Sequence, residues 1–457
     1  MKRIISVLSL SILIILNVSS QTQVEGQQSG NWIAENSPYE VIGEIMVPAG
    51  ATLTIEAGVE VNFQAHYKFT VHGNLQALGT LTDSIFFTTD VPNTGWGGIR
   101  FNDAQGINNL NYCRIEFGKT SGEYPTMHGG AMALLNSDAV VTNTVFADND
   151  ATANDNGMGG AIYGINTGSP SKFTNCTFIR NHAYGEGGAV KFTSDMGTEF
   201  IGCQFLNNDC FYGGGAISLY SVIGTKMIYC LFADNYTMYS NGGAVHTLGL
   251  GNILYFENCT LTGNEAVNGE GGAVVLAYAN GSFTNTIVYQ NEGAYGDDVF
   301  LSVGGEASVN YCHMNMPDGA TGSNNINGNP LFVDANNQDY TLEETSACID
   351  AGTDIGYEFI GEAPDMGCFE YDPNTAIYEL TTANISVYPN PAQDVLNIES
   401  DLSIKKYWIT DISGKIVIQE TNNKDLHVDI SKLRKGYYLL NISLDHEVRK
   451  TQAFIKQ

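Results

Sequence analysis

Between residues 129 and 273 the chain writes the tripeptide GGA six times, from Gly129, Gly159, Gly187, Gly214, Gly242 and Gly271. The intervals are 30, 28, 27, 28 and 29 residues. A fixed period in this range marks stacked supersecondary units, each unable to bury its apolar face except against its neighbours. At 457 residues the chain is too long for one ordinary compact core, which leaves several domains or an array. Composition favours the array, because 51 Gly, 24 Tyr and 21 Phe suit many short strands joined by turns.

Aligned on GGA, every unit shows two strand patterns. After GGA, alternation puts Met132 and Leu134, Ile162 and Gly164, Val190 and Phe192, Ile217 and Leu219, Val245 and Thr247, and Val274 and Leu276 on one face, the interior one. A second strand, written "NCTFIRN" or "YCLFADN", sends Thr144, Cys176, Cys203, Cys230, Cys259 and Thr286 inward in one column. Phe146, Phe178, Phe205, Phe232, Leu261 and Val288 form the next inward column. Asn149, Asn181, Asn208, Asn235, Asn264 and Asn291 then close each strand at a turn.

A unit of two or three strands with no helical period is one coil of a parallel β-helix, whose equivalent residues stack about 4.8 Å apart. The Cys column then reads as small core filler, since no CxxC or His cluster accompanies it. The Asn column reads as an amide ladder satisfying turn backbone groups. Gly-Gly supplies a bend where a Cβ would clash or φ must be positive. Nine Cys is an odd number for an exported chain, and Cys348 and Cys368, outside the ladder, are a candidate disulfide.

Residues 1–20 read as an export signal, with a basic start, a short apolar run and a small polar end; no other stretch could cross a bilayer as a helix. Residues 21–384 hold 8 basic and 40 acidic groups, a net charge of −32, whereas residues 385–457 hold 10 basic and 9 acidic ones. So acidic a body repels nucleic acid, anionic lipid and polyuronates.

Three resemblances follow from these residues. The GGA[IV] and FxxN repeat is similar to that of polymorphic outer membrane proteins, which implies an all-β fold: a right-handed parallel β-helix, a pectate-lyase-like solenoid, at a bacterial surface. The stretch from "VPAGATLTIEAGVEV" to "GWGGIRF" resembles the first coils of secreted β-helix proteins, and "NPLFVDANNQDYTLEETSACIDAG" with "PDMGCFEY" their closing segment. After Tyr371 the period stops. Four strand-turn groups follow, a small antiparallel β-sandwich, with "YPNP" at Tyr388, "DISGK" at Asp411 and "KGYYLL" at Lys435. They resemble the C-terminal sorting domain of the type IX secretion system, which implies export across the outer membrane, then surface attachment or release, with the secretion machinery as partner. The expected organisation is a signal at 1–20, a leader and cap at 21–40, the β-helix at 41–371, a linker at 372–384 and the sorting domain at 385–457.

Chemistry is sought on the outward strand face after GGA, where Ala133, Tyr163, Lys191, Ser218, His246 and Val275 stack. Tyr163, Lys191 and His246 are residue types able to act as acid or base on a sugar, though a solvated face contains the same types. Asp297 and Asp298 in "YGDDVF" resemble the paired acids of polygalacturonase-type glycosidases, but they fall where a seventh GGA is due and the rest of that pattern is missing. The turn between the Asn and the next GGA brings Tyr184, Phe211, Tyr212, Tyr236, Tyr239 and Tyr295 to one edge. Beside them run Asp150, Asp155, Glu186, Asp209, Glu265 and Glu270. Aromatics with carboxylates suit sugar stacking and Ca²⁺ ligation, although no cofactor is required. The leading expectation is an exported β-helix that binds glycans or cell surfaces without catalysis. A polysaccharide lyase or glycoside hydrolase on a neutral glycan, and a passive stalk, stay open.

Overall fold

The structure, a computed structural model, describes residues 21–373 apart from 154, 168–169, 196 and 297, and the segments 386–388, 392–399, 404–411, 416–421, 427–433, 435–444 and 449–456. The expected signal at 1–20, residues 374–384 of the expected linker, Asp297, and residues 389–391 and 412–415 of the sorting motifs lie outside the described residues.

The first of two compact units, ending at Asp372, is a parallel β-solenoid. Each coil of the repeat region uses three strands of one continuous sheet system, as in Val190–Thr193, Glu199–Ile201 and Gln204–Leu206, and each pairs with its equivalents in the coils before and after. The strand missed in the sequence is the middle one, where "TEF" or "TKMI" offers no motif. Winding starts earlier than the expected boundary at 41, since Thr22–Gln27 already pairs with Tyr39–Val47.

The inward columns account for the core. Phe146, Phe178, Phe205 and Phe232 stack face to face at 4.8, 4.7 and 4.7 Å with planes within 3° of parallel. Those spacings equal the strand separation, so identical side chains in register meet ring on ring at no cost in twist. The sulfur column is longer than its repeat pattern, because Cys113 and Cys312 extend it at either end. Burial raises the ladder thiols Cys176, Cys203 and Cys230 far above the ordinary thiol range, which keeps them protonated and unreactive. All nine cysteines are free. The Cys348 to Cys368 bond is therefore absent: the two thiols are buried in different clusters, Cys348 with Ile287 and Met366, Cys368 with Leu231 and Tyr340.

Each ladder Asn is buried and bonded in series. The Nδ2 donors of Asn149, Asn181, Asn208, Asn235 and Asn264 reach the next Oδ1 at 2.9, 2.9, 2.9, 2.9 and 2.8 Å, and each also reaches a carbonyl of the coil before. The two glycines of GGA differ in what they supply. Gly187 has φ of 71°, while a Cβ on Gly188 would stand 2.1 Å from the carbonyl oxygen of Gly215.

The solenoid does not run to residue 371 as expected. Its last paired strand is Thr321–Ser323, after which the chain folds back along the outside of the FxxN strands. Tyr340 and Cys368 pack on Leu206 and Leu231, and Leu342 and Met366 on Ile287. The Gly367 amide donates to the Asn285 carbonyl at 2.7 Å, and the Tyr357 hydroxyl to Glu257 at 2.6 Å.

The second unit begins at Pro373. It consists of antiparallel strands in a three-stranded and a four-stranded sheet, with Leu396, Ile398, Ile409, Val428, Ile430, Leu440 and Ile442 in its core.

Candidate functional site

The column after GGA points away from the interior, as alternation requires, and is nevertheless buried except at His246, which is half-buried. Ala133 and Val275 have no exposed surface, Ser218 is 1% exposed, and Tyr163 and Lys191 are 5% exposed. The expectation of an open strand face is corrected here: the turn between the ladder Asn and the next GGA folds over the column and pairs coil to coil as a small parallel sheet of its own, from Asp150–Ala151 to Glu292–Tyr295.

Beneath this roof lies a string of polar side chains. Tyr163, Lys191, Ser218 and His246 occupy consecutive rungs in register, and Arg100 lies two rungs before Tyr163. Arg100, which the motif reading passed over, donates to the carbonyls of Gly97, His128 and Gly129 at 2.7, 2.6 and 2.6 Å. His128, from the turn before Gly129, stacks on Tyr163 with centroids 4.4 Å apart. The Lys191 ammonium is held by the Glu186 carboxylate and donates to Ser218 Oγ at 3.0 Å, and Ser218 donates to Glu186 Oε2 at 2.9 Å.

Lys191 is thus the cationic half of a buried ion pair, tied to both Glu186 and Ser218. Burial pushes Glu186 up, but the charge and hydrogen bond of Lys191 outweigh it and the carboxyl ends below its usual range. Burial raises Tyr163 to about 12. It lowers His246 and His128 to about 4, with Lys191 adding to the effect on both and Arg100 on His128, so both rings are neutral near pH 7.

The two imidazoles make stability fall in acid. Each binds its proton more readily in the unfolded chain, so the stability it contributes is present above about pH 6.5 and lost as pH falls toward about 4. A shift of that size corresponds to roughly 3 kcal/mol per ring. Glu370, raised by burial to about 7, works the other way, losing its contribution as pH rises through 7. From pH 7 to pH 4.5 the urea midpoint of the parent should therefore fall relative to that of a His128→Gln, His246→Gln variant, in which only the opposite Glu370 effect remains. Equal changes would rule this coupling out.

Asp298 stands at the Ala position of the missing seventh GGA: its carbonyl accepts the amides of Ala273 and Val274 at 2.9 and 3.2 Å. Its carboxylate accepts Asn291 Nδ2 at 3.1 Å, in the place where the next ladder Asn would be.

The outer edge of the roof carries the aromatic side chains. Tyr184 meets Phe211 at 5.0 Å and Tyr212 at 6.0 Å, while Tyr239 meets Phe211 at 5.9 Å and Tyr212 at 6.0 Å. Four rings on three consecutive coils thus form one platform, and Tyr212 and Tyr239 remain 44% and 57% exposed. Tyr236 and Tyr295 are on the same edge but pair with Glu265 and Glu270 on neighbouring strands. The six acids do not converge. Asp150 pairs with Lys119, Asp209 with His182 and Glu186 with Lys191, and among the described residues no three His, Cys, Asp or Glu side chains gather to hold a metal ion.

No helix among the described residues is long and apolar enough to cross a membrane. No curated protein matches the chain. Residues 386–457 match the family model of the secretion system C-terminal sorting domain, over the same antiparallel sheets that make the second unit. The chain is thus a β-solenoid carrying a type IX sorting domain, secreted by that route to the cell surface or beyond it.

Proposed function

We propose that the secreted solenoid is a non-catalytic binding module for neutral glycans, with the Tyr184, Phe211, Tyr212 and Tyr239 platform as its contact surface. The observation that carries this reading is the platform itself: apolar ring faces held in place by each other, open to solvent, on a body of net charge −32. Fixed aromatic faces pack against the C–H faces of pyranose rings and lose little entropy in doing so. The charge turns away uronates and sulfated chains, which leaves uncharged polysaccharides. The closure of Tyr163, Lys191 and Ser218 beneath the roof supports binding over cleavage.

The test is chromatography with light scattering of the full chain against a panel of neutral and acidic glycans, with and without Ca²⁺. A neutral glycan should co-elute uncut, and Tyr212→Ala with Tyr239→Ala should weaken binding about tenfold or more with unchanged thermal unfolding. A glycan eluting shorter than it went in would mean an enzyme, and no retained glycan would leave only a stalk.

A further inference from the structure

Where the repeat ends, the solenoid leaves a rung open. The amide ladder stops at Asn291 although strand pairing continues to Thr321–Ser323, and a cavity of about 650 Å³ lies at this end of the ladder. That volume lies within the range of small-molecule sites. Its wall is a concentration of hydrogen-bonding groups: the amides of Gln290, Asn315 and Asn327 and the carboxylate of Glu292, beside the Asn291 to Asp298 hydrogen bond that ends the ladder. Among the described residues no Lys or Arg lines it.

Two features make this more than a gap. Tyr289, which provides an aromatic wall, is fixed edge-on between His313 at 6.0 Å and Phe332 at 6.4 Å. His313 also lines the cavity, is 2% exposed, and meets no protein hydrogen-bond partner at either ring nitrogen. A buried polar group without a partner is destabilising, and a ligand or a water entering with it would relieve that.

We propose that this cavity binds one residue of a neutral polyhydroxylated ligand, a monosaccharide or the end of a glycan chain. Amides offer a donor and an acceptor to neighbouring hydroxyls, carboxylates accept from hydroxyls, and a fixed ring closes on the C–H face; this is the complement of a pyranose. Without a basic side chain the cavity has no partner for phosphate, sulfate or uronate. The proposal shares the carbohydrate chemistry of the platform reading but uses none of its residues, so either can fail alone.

Saturation-transfer NMR and calorimetry on the full chain, with the methyl glycosides of glucose, galactose, mannose and N-acetylglucosamine and with putrescine as a cationic probe, decide it. One of the glycosides should bind. Asn327→Ala and Glu292→Gln, both exposed wall positions, should each weaken it about fivefold, the effect of one lost hydrogen bond. Asp298→Asn tests the ladder-capping carboxylate, and its thermal unfolding reports separately on folding. The Tyr212→Ala, Tyr239→Ala variant should keep glycoside binding while losing polymer binding, which separates this site from the platform. Binding of putrescine alone, no glycoside binding, or binding unaffected by Asn327→Ala and Glu292→Gln overturns the proposal.

Discussion

Replacing Asn208 with Ala is expected to destabilise the solenoid by about 4 kcal/mol or more, because each buried partner group left unpaired costs about 1–3 kcal/mol. Four bonds go at once. Asn208 Oδ1 accepts the backbone amide and Nδ2 of Asn181 at 3.0 and 2.9 Å, and its own Nδ2 donates to the Phe178 carbonyl and to Asn235 Oδ1 at 2.9 Å each. None of these groups can turn to water, since Asn181, Asn208 and Asn235 have no exposed surface. The position is mid-ladder, and an array coupled only through nearest neighbours transmits the loss to both sides. The neighbouring Asn207 provides the control: it is exposed with φ of 52°, a conformation Gly adopts freely, so Asn207→Gly should change little. Denaturant unfolding followed by circular dichroism measures both, and a loss below about 1 kcal/mol for Asn208→Ala would mean that the ladder is not a stabilising network.

A chain ending at residue 385 should all but disappear from the cell surface and the medium while its solenoid unfolds at the parent's midpoint. The two halves of this expectation have separate causes. Residues 386–457 match the sorting domain and have their own core of Leu396, Ile409, Val428 and Leu440, whereas the solenoid core is a different cluster. Removing the address therefore takes no side chain from the solenoid interior. Fractionation of cells and medium, with calorimetry on the purified truncated chain, tests both. Undiminished surface delivery would mean that export does not depend on this module.

The fold was legible because a parallel solenoid repeats each side chain's environment once per coil. A Phe that recurs at 178, 205 and 232 reports a stacked interior column, and an Asn that recurs at 181, 208 and 235 a stacked turn. The sorting domain was legible for another reason, its short motifs in fixed order. The exposed aromatic edge could also be located, since Tyr184, Phe211 and Tyr239 each stand three residues before GGA, with Tyr212 next to Phe211.

What alternation could not tell was whether an outward side chain meets water. Lys191 and Ser218 point outward and are buried by a turn that lies close in sequence but crosses above their own strand; the same turn supplies Glu186. Leu206, Leu231 and Ile287 point outward and are buried by a return segment that begins only after residue 323. Their apolar character was a signal, unreadable without knowing what covered them. Periodicity in the sequence by itself determined the coil, its inward columns and its ladder, because these depend on each residue's own position in the repeat. The roof, the return segment and the open rung at Asn291 were decided only in the tertiary structure: the roof recurs in every coil of the repeat, but its period does not record that it crosses above the strand, and the other two depend on where a non-repeating stretch of chain comes to rest.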